Sequence, residues 1–146
     1  MIAVNNAFCK EVSERMTEKG FWEDYEHPDI ECGGRDVHLS MQRAVVSEKL
    51  MLVVTELAEA MECHRKGKHA PEWSGMEHLL HMRDENDHTE RTPFEQEFKD
   101  TFEDEIADTF IRLADLCGKL DIDIEWHIKN KMLFNAQRAH KHGKRC

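Results

Sequence analysis

Apolar residues recur along this chain at spacings of three and four, the period of a helix and not of a strand. From Asn6 to Lys19, Phe8, Val12 and Met16 stand four apart, and Gly20 follows as a C-terminal cap. Periodicity fades between Phe21 and Leu39, where Pro28 and Gly33-Gly34 predict a loop carrying Phe21, Trp22 and Tyr25. Ser40 is placed to cap a long helix running to about Arg65. Residues 66 to 92 are polar and hold one short helical candidate, Glu77 to Met82. A second long helix is predicted from Phe94 to about Leu116, stopped by Gly118. A last one spans about Ile124 to Ala139, capped by Asp123, with Gly143 past its end. No stretch alternates cleanly between turn signals, so no strand is expected. The expectation is an all-α, four-helix-bundle-like domain spanning residues 1–146, with a polar insertion at about 66–92.

Two of these helices carry acids where their stripes should be apolar. Leu52, Glu56, Glu59 and Cys63 follow spacings of four, three and four, so they share one helix face. Val53, Leu57, Ala60 and Met61 lie beside them. Like charges one turn apart in a half-buried setting persist only with a cation between them or with a raised pKa. Glu105 and Asp108 repeat the pattern at the edge of a core stripe read as Phe98, Phe102, Ile106, Phe110 and Leu113. Two antiparallel helices bearing such pairs can gather four carboxylates round one point, an oxygen set that suits Mg²⁺. Acids at this spacing also occur on ordinary solvated faces, so spacing alone leaves both readings open.

Composition narrows the classes. At 146 residues the chain has a one-domain length, and a chain of that size buries roughly two thirds of its unfolded surface. No apolar run reaches membrane-spanning length, and the opening residues lack the pattern of a secretory signal. Five cysteines, an odd number with no C-x-x-C, fit reduced thiols in a cytoplasm. The net charge of −10 argues against a nucleic-acid partner unless a basic patch is segregated, and the lack of an apolar span argues against a membrane. Basic residues are nevertheless segregated: from Trp126 to Cys146 there is no acid, while Lys129, Lys131, Arg138, Lys141, Lys144 and Arg145 are all basic. That end is either a solvated basic tail or an anion site complementary to an acidic metal site.

Glu56-Leu57-Ala58-Glu59 followed by Glu105-Ile106-Ala107-Asp108 resembles the E-x-x-E … E-x-x-D motif of the MazG-like, all-α nucleoside triphosphate pyrophosphohydrolases. Gly20-Phe21-Trp22 is similar to their G-F-W segment, and Asp115-Leu116-Cys117-Gly118 with Asp121-Ile122-Asp123-Ile124 to their helix break. Lys131-Met132-Leu133-Phe134-Asn135-Ala136-Gln137-Arg138 and His142-Gly143-Lys144 resemble the K-M-x-x-N-x-x-R … H-G-K ending. The resemblance covers residues 19 to 65 and 94 to 145. One departure is the longer connection between Glu59 and Glu105, whose excess is the polar segment containing His69, His78, His81 and His88. His78 and His81 have the spacing of a metal pair but no matching second pair.

The resemblance implies hydrolysis of a (d)NTP to (d)NMP and pyrophosphate. It implies Mg²⁺, with Mn²⁺ as a substitute, on Glu56, Glu59, Glu105 and Asp108, which would also be the catalytic residues. Lys131 and Arg138 would meet phosphate oxygens, Asn135 phosphate or sugar, and Lys144 phosphate. Trp22 would stack on the base or serve as a lid, whereas Trp126 reads as core. Val45, Val46 and Val54 lie off the main stripe and, with the habit of the superfamily, point to a homodimer or homotetramer. A di-iron bundle would need two E-x-x-H pairs on long helices, and the only E-x-x-H is Glu85 to His88 in the polar segment. The remaining alternative is a non-catalytic helical module that binds nucleotide or protein.

Overall fold

A computed structural model describes residues 5–26, 35–71 and 93–138. Among them are helices α1 (Asn6–Glu18), α2 (Glu23–Glu26), α3 (Arg35–Arg65), α4 (Pro93–Glu97), α5 (Phe102–Lys119) and α6 (Ile124–Ala136), and no strand. The all-α expectation therefore holds for the described chain. The predicted helix at Glu77–Met82, the His78/His81 pair, Gly33-Gly34, Gly143 and Lys144 lie outside these residues. No described helix is long and apolar enough to cross a membrane. The chain divides into two compact units, Met1–Gln42 with Ala114–Cys146, and Arg43–Leu113.

In the first unit, α1 begins where Asn5 accepts a hydrogen bond from the Phe8 amide at 2.9 Å, satisfying one donor of the first turn. It ends before Gly20, whose φ of 82° is the left-handed geometry that a terminating glycine supplies without strain. Cys9, Val12 and Ser13 form its buried face. Gly118 corrects the sequence reading: it does not stop α5, which runs on to Lys119. It instead lets α1 approach, since a Cβ there would stand 2.2 Å from the Cys9 carbonyl oxygen and 2.7 Å from the Ser13 Cβ. Gly118→Ala is expected to destabilise the protein by about 1–3 kcal/mol, the usual penalty of overpacking, read as a lowered urea midpoint.

Asp123 caps α6 as expected, accepting from the Trp126 amide at 3.1 Å. The first turn of α6 is tied to α1, for Asn6 Nδ2 donates to Asp123 at 2.8 Å and the Asn6 amide to Glu125 at 2.9 Å. From Glu125 to Arg138 every residue is exposed. Trp126 is thus not a core residue but 57 % exposed. Its helix is held at one end and carries apolar side chains all round, so no single face turns inward.

The second unit pairs the later part of α3 with the earlier part of α5. Val53, Glu56, Ala60 and Cys63 are buried on α3, Glu105 and Thr109 on α5, and Thr101 just ahead of it. The buried face of α5 therefore lies one position round from the predicted stripe, and Phe110 and Leu113 are exposed. Small and polar residues line the contact, and the larger apolar ones stand outside it.

Two boundaries also differ from expectation. No glycine or proline interrupts residues 35–39, so α3 starts at Arg35 and passes through Ser40, which is not its cap. The predicted helix at Phe94–Leu116 is two helices, broken at Asp100 with φ of 56°. There Thr101 Oγ1 accepts from the Asp104 amide at 3.4 Å, while Asp104 accepts from the Asp100 amide at 3.0 Å. This reciprocal exchange resembles a capping box and restarts the helix.

Candidate metal centre

The register of α5 against α3 is set just ahead of the acids. Cys63 Sγ donates to the Asp100 carbonyl at 3.3 Å, and the Phe102 amide donates to the Lys68 carbonyl at 3.0 Å. Glu103 accepts from the Ala70 amide at 2.7 Å and lies 3.0 Å from His69 Nδ1. These bonds pin the chain leaving α3 to the start of α5. One half-turn later Glu105 comes to Glu56 and Glu59, and carboxylate oxygens of the three lie within 4.8 Å of one another. Glu56 and Glu105 are only 6 % and 5 % exposed, whereas Glu59 faces solvent.

Three carboxylates so close cannot all stay ionised without compensation. The Glu105 carboxyl is pushed up to about 7, first by burial, then by its hydrogen bond to Glu56 and the charges of Glu59, Glu56 and Asp104. Asp108 completes the predicted quartet in sequence but not in this cluster. It stands half-buried one turn along α5, its carboxyl raised by burial and by the charges of Asp104, Glu56 and Glu59, against the lowering effect of Arg112.

Arg112 was not singled out from the sequence. Its Nε donates to Glu56 Oε1 at 2.6 Å and its Nη2 lies 2.6 Å from the same oxygen, placing one positive charge beside the cluster. The signal was present, because Glu105, Asp108 and Arg112 follow spacings of three and four and share a face. The donor set left to a ligand is all carboxylate oxygen, with no sulfur or imidazole, which is the chemistry of a hard divalent cation. The residues thus fit Mg²⁺ or Mn²⁺.

The residues expected to meet the substrate lie in the other unit. Lys131 and Asn135 are exposed on α6, and Arg138 is exposed two residues past its end. Lys131 Nζ and the Arg138 guanidinium sit 5.3 Å and 5.8 Å from the centre of the Phe134 ring, so the two cations are held on one side of the helix. Of the two expectations for Trp22, a base stack or a lid, its surroundings do not suit the stack. It is 0 % exposed, its Nε1 donates to Asp115 at 2.7 Å, and Lys119 Nζ lies 5.5 Å from its ring centre. A ring enclosed in this way has no face to offer a base, and the hydrogen bond to Asp115 explains why an amphipathic side chain settles inside.

Comparison with models of protein families, with curated proteins and with solved structures finds no match.

Proposed function

We propose that this chain is a Mg²⁺-dependent nucleoside triphosphate pyrophosphohydrolase with the all-α NTP pyrophosphatase fold, converting (d)NTP and water to (d)NMP and pyrophosphate. The observation that carries the reading is the convergence of Glu56, Glu59 and Glu105 within 4.8 Å, two of them buried. Glu56, Glu59 and Glu105 would hold the ion, with Asp108 one turn away on the same side of α5. When bound, the ion supplies charge neutralisation for the triphosphate and a lowered pKa for water. The protein's own part is positioning and electrostatics. Glu56 is anchored by Arg112, so the cluster is oriented before any ligand arrives. By the resemblance, Lys131 and Arg138, cations that no acid follows in sequence, would meet the phosphate oxygens, and Asn135 falls between them in the chain. The exposed apolar residues of α3, Leu50, Val54, Leu57 and Met61, support a homo-oligomer, because patches of that kind mark interfaces.

The exposed apolar side chains of α6, Met132, Leu133 and Phe134 among them, favour a second reading, a non-catalytic protein-interaction module. One assay separates the two. Purified protein with Mg²⁺ and each common NTP and dNTP in turn is expected to release pyrophosphate and a monophosphate in equal amounts. Release of single orthophosphates in succession would refute the pyrophosphohydrolase, and no turnover of any nucleotide would leave the interaction module standing.

A further inference from the structure

A cavity of about 590 Å³ opens in the second unit, between the α4 segment and one face of α5. Phe94, Phe98 and Ile111 supply apolar wall, and the charged lining is Lys99 with four acids, Asp104 and Asp108 on α5 together with Glu95 and Glu103. Asp104, Asp108 and Ile111 follow spacings of four and three, so α5 presents them together. Asp108 belongs to two neighbourhoods: it lines the cavity, and it stands one helical turn from Glu105 of the carboxylate cluster on α5. The cavity therefore runs from an aromatic end to the edge of the candidate metal centre.

We infer that this cavity receives the nucleobase of the substrate, stacked on Phe94. The inference rests on the proposed pyrophosphohydrolase reading and adds to it where the base goes. The volume lies in the range of small-molecule sites, which are mostly apolar with a few placed polar groups. Phe94 and Phe98 are stacked on each other, ring centres 5.9 Å apart and planes 19° apart, which fixes the plane that a third ring would adopt. Phe94 remains 39 % exposed, so part of that ring is open to a flat ligand. Lys99 offers a donor, and Asp104 an acceptor, to the edge of a base. A ligand with a flat heteroaromatic head and a polyanionic tail matches a cavity that is aromatic at one end and meets a cation-binding cluster at the other. Inorganic polyphosphate would leave the aromatic end unused, and a purely apolar ligand would leave the carboxylates unused. Trp22, the other aromatic with a claim to the base, is enclosed in its own unit.

The test compares two probes by isothermal titration in excess Mg²⁺: α,β-imido deoxynucleoside triphosphates, which carry a base, and inorganic tripolyphosphate, which does not. Phe94→Leu keeps an apolar side chain but removes the stacking face, and Phe94→Trp restores one. The full chain is expected to bind the imido nucleotides more tightly than tripolyphosphate. Phe94→Leu should lose about tenfold or more in affinity for the nucleotides, as expected for one base–aromatic stack, while its affinity for tripolyphosphate stays as it was. Phe94→Trp should regain the nucleotide affinity. An equal loss for both probes, or no loss for either, overturns the base assignment and leaves the carboxylate site intact. If the wild-type protein binds neither probe, the pyrophosphohydrolase reading fails and the base pocket fails with it.

Discussion

Glu105→Gln and Glu56→Gln are each expected to lower turnover on the order of 10³-fold, the rate equivalent of the several kcal/mol that a metal ion supplies to charge stabilisation. Excess EDTA should have the same effect on the wild-type protein. The two variants should part company in stability. Glu105 is held above its ordinary value, up to about 7, so the folded protein retains a proton that the unfolded chain releases near 4.5. The folded state thus binds more protons between those values, and stability of the metal-free protein falls as pH rises from about 4.5 to 7. Glu105→Gln removes that dependence and should raise the melting temperature at pH 8 in EDTA by about 3 °C or more. Glu56→Gln takes a charged partner from Arg112, so it should stabilise less or even destabilise. Adding Mg²⁺ should raise the melting temperature of the wild type and leave Glu105→Gln little changed. Full activity in EDTA would refute the metal centre, and a melting temperature of Glu105→Gln that still falls between pH 4.5 and 7 as in wild type would refute the raised Glu105 carboxyl.

Trp22→Ala is expected to act on stability and not on base selection. The side chain is wholly enclosed, and truncation of a buried tryptophan costs about 3–5 kcal/mol. Loss of the Nε1 donor to Asp115 adds about 1–3 kcal/mol. Against a total of about 5–15 kcal/mol for an ordinary domain, this variant should be largely unfolded or close to it. Trp22→Phe keeps much of the volume and loses only the hydrogen bond, so it should fold, with a urea midpoint lowered by the smaller of these amounts. Its relative kcat/KM values across the nucleotides should match those of wild type. A changed nucleotide preference in a well-folded Trp22→Phe would return the indole to the base-binding role that the sequence suggested.

Much of the secondary structure was legible because it depends on neighbours three and four residues away. The helical period of α1, the N-cap at Asp123 and the terminating Gly20 are local signals, and each appears where local chemistry places it. The pairs Glu56/Glu59 and Glu105/Asp108 were likewise readable as helix neighbours. Whether those pairs meet depends on how one helix lies against another, which periodicity does not encode. Tertiary structure brought three of the four acids together and left Asp108 beside a cavity. It turned the polar Glu105–Thr109 edge of α5 inward in place of the Phe110–Leu113 stripe, because close approach to α3 selects small and hydrogen-bonding side chains. It recruited Arg112 to Glu56 across 56 residues of chain. Trp22 and Trp126 show the same division. The sequence placed Trp22 in a loop, over a base or as a lid, and Trp126 in the core, yet Trp22 is enclosed with Asp115 receiving its N–H, whereas Trp126 stays outside because its helix is tied to α1 at its first turn and exposed beyond it.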